Sequence, residues 1–279
     1  MNCAWKSYLN LMSAGLRPSV EKIGYERLTE VRLRIGQRPE FVTDGGSVWL
    51  NTLTTREDLR FTVNIASQYS AWSSQTAAYG YITAAGGHRI GLCGQAVADR
   101  KGMTGIREPT SLCIRIAKAV EGFAGQAVNL QGSTLILGRP GSGKTTFLRD
   151  LIRQKAERSH VAVVDERQEI FPVAAGVYCF DTGPGTDVLS GCEKAEGVLS
   201  MIRCMNPDYV AVDEITEQSD CDSLLQAGWC GVGLLATAHA GSREDLFNRP
   251  VYKRLLEMKL FENLVILQQD RSFRIERMR

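Results

Sequence analysis

Apolar and polar positions alternate with two different rhythms along the chain. In the first stretch the rhythm is mixed. Arg27–Arg38 contains VRLRI, an alternating run of strand period that Arg38-Pro39 breaks. Phe41–Leu50 predicts a short hairpin turning at Asp44-Gly45-Gly46, and Tyr79–Ala98 a second one turning at Gly86-Gly87. Between them, Thr55–Ser70 spaces Leu59, Val63, Ile65 and Ala66 as a helix, behind a threonine cap and an acidic first turn. Leu112–Ile116 reads as a further strand.

Around Glu121–Ser133 the composition shifts to Gly, Ala, Gln and Asn, which places an expected domain boundary at 125/126. Beyond it strands and helices alternate. Thr134–Leu137, Val161–Val164, Tyr209–Val212 and Gly233–Thr237 read as strands. Lys144–Arg158, Cys192–Cys204 and Thr216–Gly228 read as helices, and Asn263–Met278 as a closing hairpin. Runs such as VAVV and YVAV suit strands buried on both faces, so the expectation for 126–279 is a mostly parallel sheet covered by helices. Residues 1–125 are expected to form a smaller α+β domain.

Composition narrows the class. The chain has 279 residues, 44% hydrophobic and 23% charged, which is globular material with room for two modest domains. A formal net charge of +2 argues against a dedicated duplex-DNA binder. The eight cysteines show no C-x-x-C spacing and no histidine at a zinc-ligand interval, so they read as reduced core residues of a cytosolic protein. The opening MNCAWKSYLN lacks a basic segment followed by an apolar run, and no stretch approaches 18 apolar residues. Neither a signal peptide nor a membrane span is expected, and a role at a membrane would come through a partner.

The chemistry is concentrated after the boundary. Gly138-Arg139-Pro140-Gly141-Ser142-Gly143-Lys144-Thr145, followed by Thr146, fits G-x-x-x-x-G-K-[ST]. The glycines let successive N–H groups face phosphate oxygens, and the following helix presents its positive end to the same anion. Lys144 supplies a point charge for the β/γ-phosphates, and the Thr145 hydroxyl is a ligand for Mg²⁺. The flanking strand TLIL and helical run TTFLRDLIRQ supply the context this loop requires. ATP and Mg²⁺ are therefore the expected cofactors.

Two further strands end in acid pairs, at Asp165-Glu166 and Asp213-Glu214, where ligands of a parallel sheet bind. Asp213 is the candidate for the Mg²⁺ shell, and Glu214 for polarising water. Asp165, Glu166 and Glu169 divide between orienting water and pairing with Arg167 or a neighbouring subunit. Thr237-Ala238-His239 ends another strand, and His239 is a candidate sensor of the γ-phosphate.

The order GRPGSGKTT, VAVVDERQE, IRCMNPDYVAVDEITE, LLATAHA resembles the secretion ATPase superfamily, with its Walker A, Asp box, Walker B and His box. With EVRLRIGQRPEFV, GYITAAGGHRIGLCG and DTGPGTDVLSGCEKAEGVLSMIRCMNPDYVAVDEI included, nearly the whole chain resembles the stage III sporulation protein AA family. That resemblance implies a RecA-like P-loop domain preceded by an α+β domain. It implies a Mg²⁺-dependent ATPase of the mother-cell cytoplasm, assembled as a homo-hexamer. The motor would energise a secretion-like channel between mother cell and forespore through membrane partners. Relatives carry a water-activating glutamate at the position of Asp165, so Asp165 or Glu166 can be the base. Where many carry Gly-Glu, this chain has Asp213-Glu214, and His239 matches the His box.

Phosphoryl transfer also needs cationic charge near the γ-phosphate, and Arg89, Arg107, Arg115 and Arg203 are the candidates. Three other readings compete with the export motor. A RecA-like nucleic-acid motor would stack bases on aromatic residues, but Trp49, Trp72 and Trp229 stand without interleaved basic residues and read as core. A nucleotide-gated scaffold without turnover is opposed by the intact Asp213-Glu214 pair. A small-molecule kinase would need an arginine-rich lid, which the sequence lacks.

Overall fold

The computed structural model describes residues 3–67, 80–100 and 102–278. The chain packs as two compact units, the first from Met1–Lys118 with Pro172–Phe180, the second from Ala119–Phe171 with Asp181–Arg279.

In the first unit, helices α1 (Cys3–Asn10), α2 (Arg17–Ile23) and α3 (Arg56–Ser67) accompany strands β1 (Leu28–Arg34), β2 (Glu40–Thr43), β3 (Gly46–Trp49), β4 (Tyr81–Ala84), β5 (His88–Asp99) and β6 (Gly102–Arg115). The strands form one antiparallel sheet ordered β3-β2-β1-β6-β5-β4. Val31, Leu33, Phe41, Ile90 and Ile114 bury one face of it against Tyr8 and Leu9 of α1. Each such side chain contributes roughly 1.5–3 kcal/mol by leaving water. Tyr8 fixes the helix by donating its hydroxyl to the Ile114 carbonyl at 2.9 Å.

His88 sits wholly buried in this core. Its Nδ1 accepts the Ala117 N–H at 3.0 Å, which leaves the ring proton on Nε2 to donate to the Ala4 carbonyl at 2.7 Å. Burial lowers its pKa to about 4. Below the unfolded value near ~6.5 the unfolded chain takes up a proton that folded His88 refuses. The contribution is therefore complete above that pH and falls by about 3 kcal/mol as the pH drops to 4. Denaturant titrations across this window are expected to show a slope about one proton smaller in His88→Gln than in the parent. An unchanged slope would place the titration elsewhere.

The second unit holds a seven-stranded sheet ordered β11-β8-β12-β13-β7-β14-β15. Its strands are β7 (Thr134–Leu137), β8 (Val161–Asp165), β11 (Thr186–Ser190), β12 (Tyr209–Val212), β13 (Gly233–Ala238), β14 (Asn263–Leu267) and β15 (Phe273–Arg277). All neighbours are parallel except β14–β15. β7, β8 and β14 are buried along their whole length, as their uninterrupted apolar runs require. Helices α4 (Lys144–Lys155), α5 (Lys194–Met205), α6 (Gln218–Trp229), α7 (Arg243–Phe247) and α8 (Pro250–Glu257) complete the unit. Strands β9 (Val173–Ala174) and β10 (Val177–Tyr178) pair only with each other and lie in the first unit.

Several expectations need correction. Residues 119–125, placed by composition in the first domain, pack with the second unit. Phe123 meets the Phe147 ring edge-on at 5.2 Å, and the Ala124 amide donates to buried Asp150 at 2.8 Å. The strand expected at 112–116 is the end of the 14-residue β6. Its first part, GMTGIREPTS, has no apolar alternation and is held by pairing with β5. Trp49 and Trp229 are exposed, not core: one lies on the sheet's edge strand, the other on the last turn of α6. Trp72 and the expected end of the helix at 68–70 lie outside the described residues. The eight cysteines are unpaired, and Cys93, Cys204 and Cys230 are exposed rather than core. Among the described residues, no helix is long and apolar enough to cross a membrane.

Candidate nucleotide site

Strand register brings the sequence candidates together. Leu137 pairs with Ala238, Ala236 with Val212, and Val212 with Val164. The residues that follow therefore emerge in one row at the carboxyl edge: Gly138 beside His239, Asp213 beside Thr237, and Asp165 beyond Asp213.

The loop 138–143 is shaped by close approach. A Cβ on Gly138 would collide with Ser142 Oγ, and Gly143 holds φ at 93°, a left-handed turn that opens α4 at Lys144. Phe147, Leu148, Leu151 and Ile152 bury the inner face of α4. Ser142 Oγ is buried without a hydrogen-bond partner. A buried hydroxyl of this kind costs free energy unless a polar group meets it, and a phosphate oxygen in the loop would do so.

Lys144 reaches the same edge, with its side chain 7% exposed. Burial pulls its pKa down, while Asp213 and Glu214 pull it back. Its ammonium donates to His239 Nδ1 at 2.9 Å. Nδ1 is then the acceptor, the ring proton sits on Nε2, and Nε2 lies 3.1 Å from Glu214 Oε2. His239 thus stands between Lys144 and Glu214. Thr145 Oγ1 donates to Asp213 Oδ2 at 2.9 Å, and Thr237 Oγ1 to Asp213 Oδ1 at 2.8 Å. A hydroxyl and a carboxylate side by side form the hard oxygen donor set that Mg²⁺ takes, completed by water and phosphate oxygens. The residues present fit both groups.

The Asp165 side chain does something different. Oδ1 accepts the Glu169 N–H at 2.8 Å, and Oδ2 accepts those of Ile170 and Phe171 at 3.1 and 2.8 Å. Arg149 of α4 clamps the same turn from its carbonyl side, donating to the Glu169 carbonyl at 2.7 Å and bonding that of Ile170. Burial raises the Asp165 pKa, and the three amides pull it back. Its carboxylate is 1% exposed, whereas the side chains of Glu166 and Glu214 are 28% and 35% exposed. Glu166 and Glu214 are thus the more open to solvent, although all three line one small cavity.

Sequence reasoning missed two contributors. Lys194, buried at the start of α5, pairs with Glu166 at 2.9 Å and with Asp220 at 3.6 Å. Arg149 lies in the middle of α4 and looks like an ordinary surface arginine. Neither belongs to a local motif; spacing alone gave no signal for them. Arg89, Arg107 and Arg115 all belong to the first unit, where Arg89 stacks on Tyr81 and Arg115 pairs with Glu30. Arg203 is exposed on the last turn of α5.

A family described as sporulation stage III, protein AA, matches residues 5–275. Stage III sporulation protein AA of Bacillus subtilis (strain 168) is 37% identical over 257 residues, which span 88% of this chain and 84% of that protein. Among solved structures, the ATPase DotB of Legionella pneumophila is similar at a TM-score of 0.56 and 14% identity, over 90% of this chain and 76% of that one. The pilus retraction motor PilT with bound ADP is similar at 0.55 and 15%, over 89% and 76%. These likenesses bear out the α/β, RecA-like fold expected from the sequence.

Proposed function

Because the chain belongs to the sporulation stage III protein AA family, we propose that it is a Mg²⁺-dependent ATPase of the secretion type. It energises a sporulation-associated export channel between mother cell and forespore. In this reading it works as a homo-hexamer in the mother-cell cytoplasm, against the membrane through partner proteins.

One observation carries the reading: Lys144, Thr145, Asp213, Thr237 and His239 converge on a single strand edge through hydrogen bonds of 2.8–2.9 Å, with Glu214 3.1 Å from the His239 ring. ATP supplies the phosphoric anhydride bond and Mg²⁺ the charge that neutralises it. The loop amides of 138–146 and Lys144 hold the phosphates, while Thr145 and Asp213 hold the metal. Glu214, 3.1 Å from Nε2 of His239, takes a proton from water, and Glu166 is a further partly exposed carboxylate beside it. Asp165 positions the turn that carries Glu166. Membership of the stage III family supports the place of action, and the similarity to DotB and PilT supports the motor fold.

The test is Mg²⁺-dependent hydrolysis across a wide range of protein concentration, with and without single-stranded DNA. The rate is expected to rise faster than protein concentration and to ignore DNA. Glu214→Gln is expected to lower it by about 10²–10⁴-fold while ATP binding persists. Full activity in that variant would remove Glu214 as the base. A second reading, a nucleic-acid motor, draws on exposed Trp229, which shares a cavity at the opposite strand edge with Arg158 and Lys259. DNA-stimulated turnover would favour it.

A further inference from the structure

The mechanism makes no use of Cys3 and Cys179. Cys3 opens α1, and Cys179 follows β10 on the hairpin segment, so both belong to the first unit. Their Sγ atoms are 2.8 Å apart, although the residues are separated by 176 positions in the chain. Both are free thiols. That separation is within about 1 Å of disulfide bonding distance. The two thiols differ in access. Cys179 is 6% exposed, while Cys3 is only partly buried and lines an apolar cavity of about 390 Å³ with Lys6, Ser7 and Val177. A small reagent therefore reaches Cys3 first.

We propose that Cys3 and Cys179 form a reversible redox pair, closed to a disulfide by a low-molecular-weight disulfide and fastening α1 to the 172–180 hairpin. In the first step the Cys3 thiolate attacks one sulfur of the oxidant. The oxidant's S–S bond breaks, and one thiolate leaves and is protonated. In the second step Cys179 loses its proton and attacks the Cys3 sulfur of the mixed disulfide, expelling the other thiolate. Two protein thiols are oxidised by two electrons, and one small disulfide is reduced to two thiols that carry the two protons. Burial raises the Cys179 thiol above its ordinary range, so closure accelerates with rising pH. In a reducing compartment such a bond is transient and reports the presence of oxidant.

The hairpin gives the bond something to hold. β9 and β10 pair with each other and join neither larger sheet. A covalent link to α1 also removes far more freedom from the unfolded chain than a local one would.

The test uses the full chain, reduced, freed of reductant, incubated with oxidised glutathione and digested without reduction. The α1 and hairpin peptides are expected to appear joined, ~2 Da below the sum of the free thiols. No glutathione should remain, and dithiothreitol should separate the peptides. In Cys179→Ser, Cys3 is expected to keep its glutathione, because nothing expels it. Closure of the parent should quicken by several fold for each pH unit between 7 and 9, as the Cys179 thiolate becomes more populated. A parent chain that keeps glutathione on Cys3, links Cys3 to another cysteine, or leaves Cys3 unmodified would overturn the proposal. Cys179→Ala replaces the serine variant if a hydroxyl unsettles the core, and the parent peptide map depends on neither.

Discussion

Lys144→Ala is expected to lower ATP hydrolysis by on the order of 10³-fold or more. Lys144 reaches the strand-edge row from α4, bonded to His239 and drawn electrostatically towards Asp213 and Glu214. Charge that develops on the transferring phosphoryl group would lose its nearest fixed counter-charge. The fold should survive. The Lys144 ammonium is already held down by burial, so its removal relieves desolvation while it deletes packing and one hydrogen bond. The net change in stability is expected to stay within about 1 kcal/mol. Steady-state hydrolysis beside a denaturation curve separates the two effects. Retained hydrolysis with an intact fold would refute the phosphate-loop reading.

Asp165→Asn is expected to act in the opposite way, on stability first. The carboxylate receives three backbone N–H groups, two of them on Oδ2. Asparagine keeps one acceptor and turns an amide donor toward the others, so buried N–H groups lose their partners. Charge-assisted bonds of this kind put the loss at about 2–4 kcal/mol. Burial partly offsets it, because the ionised carboxylate is itself disfavoured there. Glu166→Gln, at a half-buried side chain held by Lys194, should change stability by less than about 1 kcal/mol and depress hydrolysis instead. Denaturant midpoints and hydrolysis rates for the two variants would test the division. Unchanged stability with lost turnover in Asp165→Asn would make Asp165 the base and end its reading as a positioning residue.

The sequence by itself located the glycine-rich loop and the acidic strand ends. Their signals are local: glycines at fixed spacing, then a lysine and a threonine at a helix start, with apolar runs that end in Asp-Glu. The parallel order of strands followed from the same runs, because a strand buried on both faces cannot alternate. Helix α1 could not be read, since its eight residues owe their helicity to Trp5, Tyr8 and Leu9 meeting a sheet assembled from distant segments. The early part of β6 was also silent, because its partner holds it and its own pattern does not. The exposure of Trp49 and Trp229 depended on where the sheet and helix ended, which no local pattern encodes.

Tertiary structure alone decided what each acid meets. In the sequence Asp165 and Glu166 are adjacent and equivalent. Folding turns one carboxylate onto three amides and leaves the other on a buried lysine 28 positions away, with access to solvent. It also places His239 between Lys144 and Glu214, through a register that pairs strands far apart in the chain. The reason is physical: a motif specifies what the backbone can do locally, whereas a side chain's lone pairs are assigned by whichever donors the whole fold brings within 3 Å or so.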